Sequence, residues 1–317
     1  MKKILVTYQV PREGLAQLEE DFEIIYPEQE AMTKDEIIAK IGDVDGLLSV
    51  FIKSVDKDII EAGKNLKIIA NFGVGYNNID IDCATAKGIV VTNTPNAVCE
   101  PTADMALGLM LAVMRRIAVC DRKLRVPDGL EWGLMKNLGN SPWGKTLGII
   151  GMGKIGKALA RRAKACGMKI VYHNRRRMSA QIEAEFDAQY LSMDELLQQA
   201  DVVSLNCPLT PETTHLISGP QFEMMKDGAY IINTARGPVI DEKALVKYLQ
   251  NGKLAGAGLD VFEEEPVITK ALLEMDQVVM TPHTGTGTIE TRIETAREAA
   301  DNIIGFFKGD ENISKVN

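Results

Sequence analysis

The residues able to do chemistry in this 317-residue chain fall into two groups. The first is Gly151-Met152-Gly153-Lys154-Ile155-Gly156, which follows the apolar run Leu147–Ile150 and opens a helical stretch ending at Gly167. The first glycine permits a tight turn, the second lets the backbone approach a pyrophosphate, and the third lets helix and strand pack closely. The helix N-terminus then faces negative charge. In this strand–turn–helix setting the spacing predicts a dinucleotide site, although a glycine turn without a ligand can carry the same letters. The second group is Arg236, Glu265 and His283, each just past the carboxyl end of a predicted strand, the edge where open α/β sheets bind ligands. Reduction of a 2-keto acid calls for these residue types. Histidine donates a proton near neutral pH, a carboxylate favours imidazolium and fixes the ring, and arginine binds the substrate carboxylate and polarises the carbonyl. Singly, Arg236 reads as a surface residue, Glu265 as part of the acidic turn Glu263–Glu265, and His283 as a strand cap; their convergence points to hydride transfer on a small 2-keto or 2-hydroxy acid.

Two further stretches refine this. Past the fingerprint comes Tyr172-His173-Asn174-Arg175-Arg176-Arg177. An NAD site usually has Asp or Glu here for the ribose 2′-OH, whereas Asn174 followed by arginines suits a 2′-phosphate. The expectation is NADP (NADPH) over NAD, with a solvated basic turn as the alternative. In the N-terminal block, Phe72-Gly73-Val74-Gly75-Tyr76 follows the apolar run Leu66–Ala70. Small residues there expose backbone amides able to hold a carboxylate; a plain glycine turn is the other reading.

The elements that position these residues follow from hydrophobic periodicity. The N-terminal block predicts strands at 4–8, 22–26, 46–50, 67–71 and 89–92, with helices near 13–20, 34–41, 57–62 and 80–87. This βα alternation implies a parallel sheet with helices on both faces. After Pro95 and Pro101 a single long helix is expected over roughly 102–124. The pattern then restarts with strands at 146–150, 168–173, 202–206, 230–234, 255–261 and 278–281. Helices fit at 154–166, 194–200, 220–225 and 241–250, and six strands so arranged suggest a doubly wound dinucleotide fold. An amphipathic helix over about 289–307 closes the chain. The fold class is therefore α/β, with two doubly wound parallel-sheet domains.

Composition narrows the function class. With 45% hydrophobic and 25% charged residues the chain is neither fibrous nor disordered in character. A net charge of −8 disfavours non-specific nucleic-acid binding. Cys83, Cys99, Cys120, Cys166 and Cys207 are odd in number, scattered and without a Cys-x-x-Cys pair, which reads as thiols in a reducing compartment with no disulfide framework and no metal site. No segment approaches the ~18 uncharged apolar residues of a membrane span, and the run Met105–Val113 reads as a buried helix. A cytoplasmic protein is the expectation.

Taken in order, the motifs resemble the D-isomer-specific 2-hydroxyacid dehydrogenases over essentially the whole chain. They are Gly73-Val74-Gly75 with Asn78-Ile79-Asp80, the Gly151–Gly156 fingerprint, Cys207-Pro208-Leu209-Thr210 with Thr213, Asn233-Thr234-Ala235-Arg236-Gly237, Leu259-Asp260-Val261-Phe262 with Glu265-Pro266, and Thr281-Pro282-His283. The resemblance implies a Rossmann dinucleotide domain (99–287) inserted in a flavodoxin-like substrate domain (1–98 and 288–317), with hinges near 95–101 and 285–289. It implies that Arg236 binds substrate, His283 donates the proton with Glu265 as its partner, and the Val74 and Gly75 amides receive the carboxylate. Implied cofactor contacts are Gly151, Gly153, Lys154, Ile155, Gly156, the Asn174–Arg175–Arg176 turn, Cys207, Pro208, Thr213, Thr234, Ala235, Asp260, His283 and Gly285. It further implies a homodimer joined through the dinucleotide domain, with the region of Trp132 and Met135 reaching the partner's site. The Asn174–Arg176 turn looks like that of NADP-using glyoxylate/hydroxypyruvate and 2-ketogluconate reductases. Two alternatives stay open: another 2-keto acid such as D-lactate's or an aromatic one, and a nucleotide-sensing binding protein like the corepressors of this fold.

Overall fold

In the computed structural model, which describes all residues from Met1 to Asn317, the apolar runs form two separate parallel sheets. The chain divides into two units, Met1–Val98 with Thr286–Asn317, and Cys99–Gly285.

The first unit contains β1 (Lys3–Val6), β2 (Glu23–Ile25), β3 (Gly46–Val50), β4 (Ile68–Phe72) and β5 (Val90–Thr92). Their order is β2-β1-β3-β4-β5, the flavodoxin-like arrangement. β3 and β4 are buried along their length, which is why they read as near-continuous apolar runs without alternation, broken only by the buried Ser49 and Asn71. Side chains alternate between two cores. Ile4, Val6, Leu48 and Ile68 pack with Ala296, Ala299 and Ile303 of the closing helix, Ile289–Lys308. Leu5, Leu47, Ile69 and Val91 pack on the other face with Ile37, Ile41, Ile59 and Ile60. The crossover helices Lys34–Ile41 and Lys57–Ala62 start at side-chain caps, Thr33 in a capping box with Glu36, and Asp56.

The second unit contains β6 (Thr146–Ile150), β7 (Lys169–His173), β8 (Ala188–Tyr190), β9 (Val202–Leu205), β10 (Ala229–Asn233), β11 (Leu254–Leu259) and β12 (Val278–Met280). Their order is β12-β11-β10-β9-β6-β7-β8. Renumbered within the unit, this is the dinucleotide order 3-2-1-4-5-6 with β12 added beyond the sixth strand. Strand order reverses between β6 and β9, and the Gly151 turn lies at the carboxyl end of β6.

Three sequence expectations change. The sheet has seven strands where six were expected; β8 is a three-residue edge strand whose central Gln189 is exposed, leaving no apolar run to detect. The helix expected over 102–124 is two helices, Cys99–Met114 and Ile117–Leu124, broken where Arg116 takes a left-handed conformation, φ 58°. No glycine or proline marks that break. The helices Ala180–Phe186 and Lys270–Leu273 were also not foreseen. No helix is long and apolar enough to cross a membrane.

Candidate active site

The fingerprint turn is shaped by what crowds it. Gly151 has φ 92°, and a Cβ there would stand 2.7 Å from the Cys207 amide nitrogen, so only glycine fits and the Cys207 backbone lies against the turn. Gly156 lies close under Gly151, where a Cβ would be 2.6 Å from the Gly151 carbonyl oxygen. Gly153 differs: it caps the helix Lys154–Ala165, and a Cβ there meets nothing within 4 Å. The N-terminus of that helix is therefore approachable by an anion.

At the end of β7, Asn174 Oδ1 accepts the Met152 amide at 2.7 Å, which ties this residue to the fingerprint turn. Arg175 and Arg176 are exposed. Arg177 is engaged elsewhere, donating through Nε and Nη2 to Glu183 at 2.8 Å each. Those bonds, with one from the Tyr172 hydroxyl, hold the Glu183 carboxyl down at about 2. Of the three arginines read as a cluster, two are thus available to a ligand at Asn174.

The Cys207–Thr213 loop is held by its own hydrogen bonds: Thr213 Oγ1 donates to the Pro208 carbonyl at 2.7 Å and accepts from the Thr210 amide at 2.7 Å. Burial pushes the Cys207 thiol up to about 11, so it stays protonated at neutral pH. In this unit two buried side-chain oxygens at strand ends have no hydrogen-bond partner, Asn206 Oδ1 after β9 and Thr234 Oγ1 after β10; Thr92 Oγ1 at the end of β5 is a third, in the first unit. Orphaned polar atoms of this kind, at the carboxyl ends of strands in the sheet that carries the fingerprint turn, fit a polar dinucleotide.

Past β10, Asn233 organises the turn: its Oδ1 accepts the Ala235 amide at 3.0 Å and its Nδ2 donates to the Arg236 carbonyl at 3.0 Å. Arg236 Nη1 donates to the Ala235 carbonyl at 2.7 Å. Burial lowers the Arg236 pKa, and the charge of Glu265 opposes that shift. The next residue, Gly237, lies against the Phe262 peptide so closely that a Cβ would fall 1.8 Å from the Phe262 oxygen. The arginine turn and the glutamate turn are therefore in backbone contact.

Glu265 Oε2 lies 2.7 Å from His283 Nδ1, and Glu265 Oε1 accepts the Phe262 amide at 3.0 Å. Burial alone would raise the Glu265 pKa. The hydrogen bonds from His283 and Phe262, with the charges of His283 and Arg236, outweigh burial and hold the carboxyl below its ordinary value. His283 has φ 53°, a left-handed conformation histidine tolerates better than most residues. Asp260 holds that bend. It is 2% exposed and accepts from Thr281 Oγ1 at 2.6 Å, from the Thr284 amide at 2.8 Å and from the Gly285 amide at 2.7 Å. Asp260, read from sequence as a cofactor contact, thus has both oxygens engaged in shaping the His283 turn.

Val74 and Gly75 belong to the first unit. The Gly73 and Gly75 carbonyls accept from Asn71 Nδ2 at 3.2 and 2.8 Å, and the Val74 carbonyl accepts from Asn93 Nδ2 at 2.8 Å. In a trans peptide the N–H points opposite to the C=O. Holding the Gly73 and Val74 carbonyls therefore turns the Val74 and Gly75 amides away from these asparagines. Asn71 and Asn93 were missed from sequence. Both are buried, and a lone Asn at the end of a strand carries no pattern.

Residues 107–285 match the family model described as D-isomer specific 2-hydroxyacid dehydrogenase, NAD binding domain. Over 320 residues the chain is 42% identical to a glyoxylate reductase of Pyrococcus furiosus, covering 99% of this chain and 95% of that one. Among solved structures, a glyoxylate reductase from Paecilomyes thermophila aligns with TM-score 0.91 at 38% identity, covering 99% of this chain and 98% of that one. The NADPH-dependent glyoxylate/hydroxypyruvate reductase of Sinorhizobium meliloti, in complex with NADP and malonate, aligns with TM-score 0.85 at 33% identity, covering 99% and 96%. With the fold, the fingerprint turn and the His–Glu pair in place, the chain belongs to the D-isomer specific 2-hydroxyacid dehydrogenases, a family of NAD(P)-dependent oxidoreductases.

Proposed function

We propose that this enzyme reduces glyoxylate and hydroxypyruvate to the corresponding 2-hydroxy acids, with NADPH preferred and NADH accepted. The observation that carries the reading is the 2.7 Å contact between Glu265 and His283, with the Arg236 charge acting on the same carboxylate. A bound nicotinamide would supply the hydride. With Nδ1 engaged by Glu265, His283 presents Nε2 as the nitrogen that gives a proton to the developing alkoxide. Glu265, ionised because its pKa is depressed, engages Nδ1 and fixes the plane of the ring. Arg236 binds the substrate carboxylate and polarises the keto group; in the first unit, the Val74 and Gly75 amides are the donors we assign to a carboxylate.

On the cofactor side we assign the pyrophosphate to Gly151, Gly153, Lys154, Ile155 and Gly156, and the 2′-phosphate to Arg175 and Arg176 beside Asn174. Backbone and side chains of Cys207, Pro208, Thr213, Thr234, Ala235 and Gly285 line the remainder, the unit Cys99–Gly285 being the dinucleotide domain and the other the substrate domain. The NADP-bound, NADPH-dependent reductase of Sinorhizobium meliloti supports NADPH; the glyoxylate reductase of Pyrococcus furiosus supports glyoxylate. A homodimer in the cytoplasm completes the reading. Trp132, Leu134 and Met135 are 86%, 92% and 75% exposed on one stretch of the dinucleotide unit, an apolar surface that a second copy would cover. Sedimentation velocity reads this directly, and a monomer at micromolar concentration overturns the dimer.

The deciding experiment is NADPH and NADH oxidation over glyoxylate, hydroxypyruvate, 2-ketogluconate, pyruvate and phenylpyruvate. The expected result is the highest kcat/KM for glyoxylate or hydroxypyruvate with NADPH. A higher value for another acid overturns the substrate, and a higher value with NADH overturns the cofactor.

A further inference from the structure

The second unit contains another His–Glu pair. His215 Nε2 lies 2.6 Å from Glu263 Oε1, two residues before the glutamate that holds His283. His215 has φ 52° and its amide donates to the Pro238 carbonyl at 2.7 Å. Glu263 is fixed from its other side. Its Oε2 accepts the Glu242 amide at 3.1 Å, and its own amide donates to Glu242 Oε2 at 3.0 Å, an exchange between two carboxylates and two backbones. Glu242 is 7% exposed and begins the helix Glu242–Gln250. The His215 ring meets Oε1 of Glu263, the oxygen that this exchange leaves open.

Each cord from this knot ends on a segment of the active site. Through the chain, His215 continues the Cys207–Thr213 loop, whose Thr213 is hydrogen-bonded back to Pro208. Through Pro238 it reaches the turn of Arg236, and the parallel bridge Ile217–Ile240 extends that attachment. Through Glu263 it reaches the turn where Glu265 meets His283, against which Gly237 is packed.

We infer that His215 and Glu263 are a positioning pair, setting the spacing between the cofactor loop, Arg236 and the Glu265–His283 pair without touching substrate. The inference rests on the reductase reading for its kinetic part only. A half-exposed contact between a histidine and a carboxylate contributes little to global stability, so its loss is read in the site before it is read in the fold.

The test compares His215→Leu, which removes the ring nitrogens, with His215→Gln, which keeps an N–H donor. NADPH affinity is measured by fluorescence titration, and kcat with glyoxylate or hydroxypyruvate is referred to folded protein. His215→Leu is expected to weaken NADPH and lower kcat, each by about 10-fold, as losses of outer supporting contacts do. His215→Gln restores most of both, and His215→Leu combined with Glu263→Gln is no worse than the more impaired single variant. The proposal is overturned if His215→Leu shifts Tm while affinity and kcat stay within about twofold, or if His215→Gln is as impaired as His215→Leu. Should His215→Leu fail to fold, Glu263→Gln against the parent gives the same two readouts with the same deciding limits. A parent that binds NADPH but reduces no 2-keto acid sinks the reductase reading, and the affinity arm still judges the pair.

Discussion

Asn174 Oδ1 and the Met152 amide, 2.7 Å apart, join the end of β7 to the fingerprint turn after β6. The residue that sequence reading treats as a discriminator of ribose chemistry is therefore also a structural part of the turn. An aspartate could accept the same amide, so charge can be changed here with the turn retained.

Asn174→Asp is expected to move preference toward NADH by placing a carboxylate beside the 2′-phosphate position. Arg175→Ala with Arg176→Ala weakens NADPH alone. A charge-assisted hydrogen bond contributes about 1.5–3 kcal/mol, so the ratio of NADPH to NADH kcat/KM falls about 10- to 100-fold in either variant. Initial rates with both cofactors check it, and an unchanged ratio refutes the assignment.

His283→Ala is expected to lower kcat about 10²- to 10⁴-fold, the range for a lost general acid. Cofactor affinity persists, because the fingerprint turn does not depend on the imidazole. Glu265→Gln keeps an acceptor for Nδ1 but removes the charge, so its loss is smaller. Single-turnover rates and NADPH titration separate these effects; full turnover in His283→Ala would remove it from the chemistry.

Gly237→Ala tests the contact between the arginine and glutamate turns. The added methyl would meet the Phe262 oxygen at 1.8 Å, so one backbone must move. Overpacking of this kind costs about 1–3 kcal/mol, and the movement carries Arg236 away from Glu265. Denaturant unfolding and kcat/KM are both expected to fall; a variant with parental activity shows that the turns are independent.

Glu183→Gln addresses pH. Hydrogen bonds from Arg177 and Tyr172 lower the folded pKa of Glu183 to about 2, against about 4.3 in an unfolded chain. A depressed carboxyl stabilises the fold above the unfolded pKa and loses that contribution as pH falls through the folded one. The parent is therefore the more stable at pH 7, and the difference in Tm narrows as pH drops from about 4.3 toward about 2. A constant difference across that window contradicts the ion pair.

Much of this was legible in the sequence because it rests on periodicity and ordered motifs. Gly46–Val50, Thr146–Ile150, Lys34–Ile41 and Lys57–Ala62 have the same limits in sequence and structure. They are apolar runs or amphipathic turns bounded by clear signals. β8 was hidden because a short edge strand has no buried face to pattern, and the break at Arg116 because a left-handed arginine looks like any other. The positions of Arg236, Glu265 and His283 after their strands were readable. What joins them was not: Gly237 against Phe262, Asp260 under the His283 turn, and Asn71 and Asn93 behind Val74 are tertiary contacts without a local signature.

Asn71, Asn78 and Asn93 have a consequence for how the enzyme responds to acidity. Asn71 and Asn93 hold the backbone around Val74, and Asn78 Nδ2 donates to the Lys53 carbonyl at 2.9 Å, steadying the adjoining loop. Carboxamides do not titrate, and neither do the amides they orient. The Val74 and Gly75 amides, proposed above to receive a carboxylate, therefore keep one electrostatic character over the working pH range. A carboxylate bound as proposed at these amides would see the same dipoles in weak acid as in weak base.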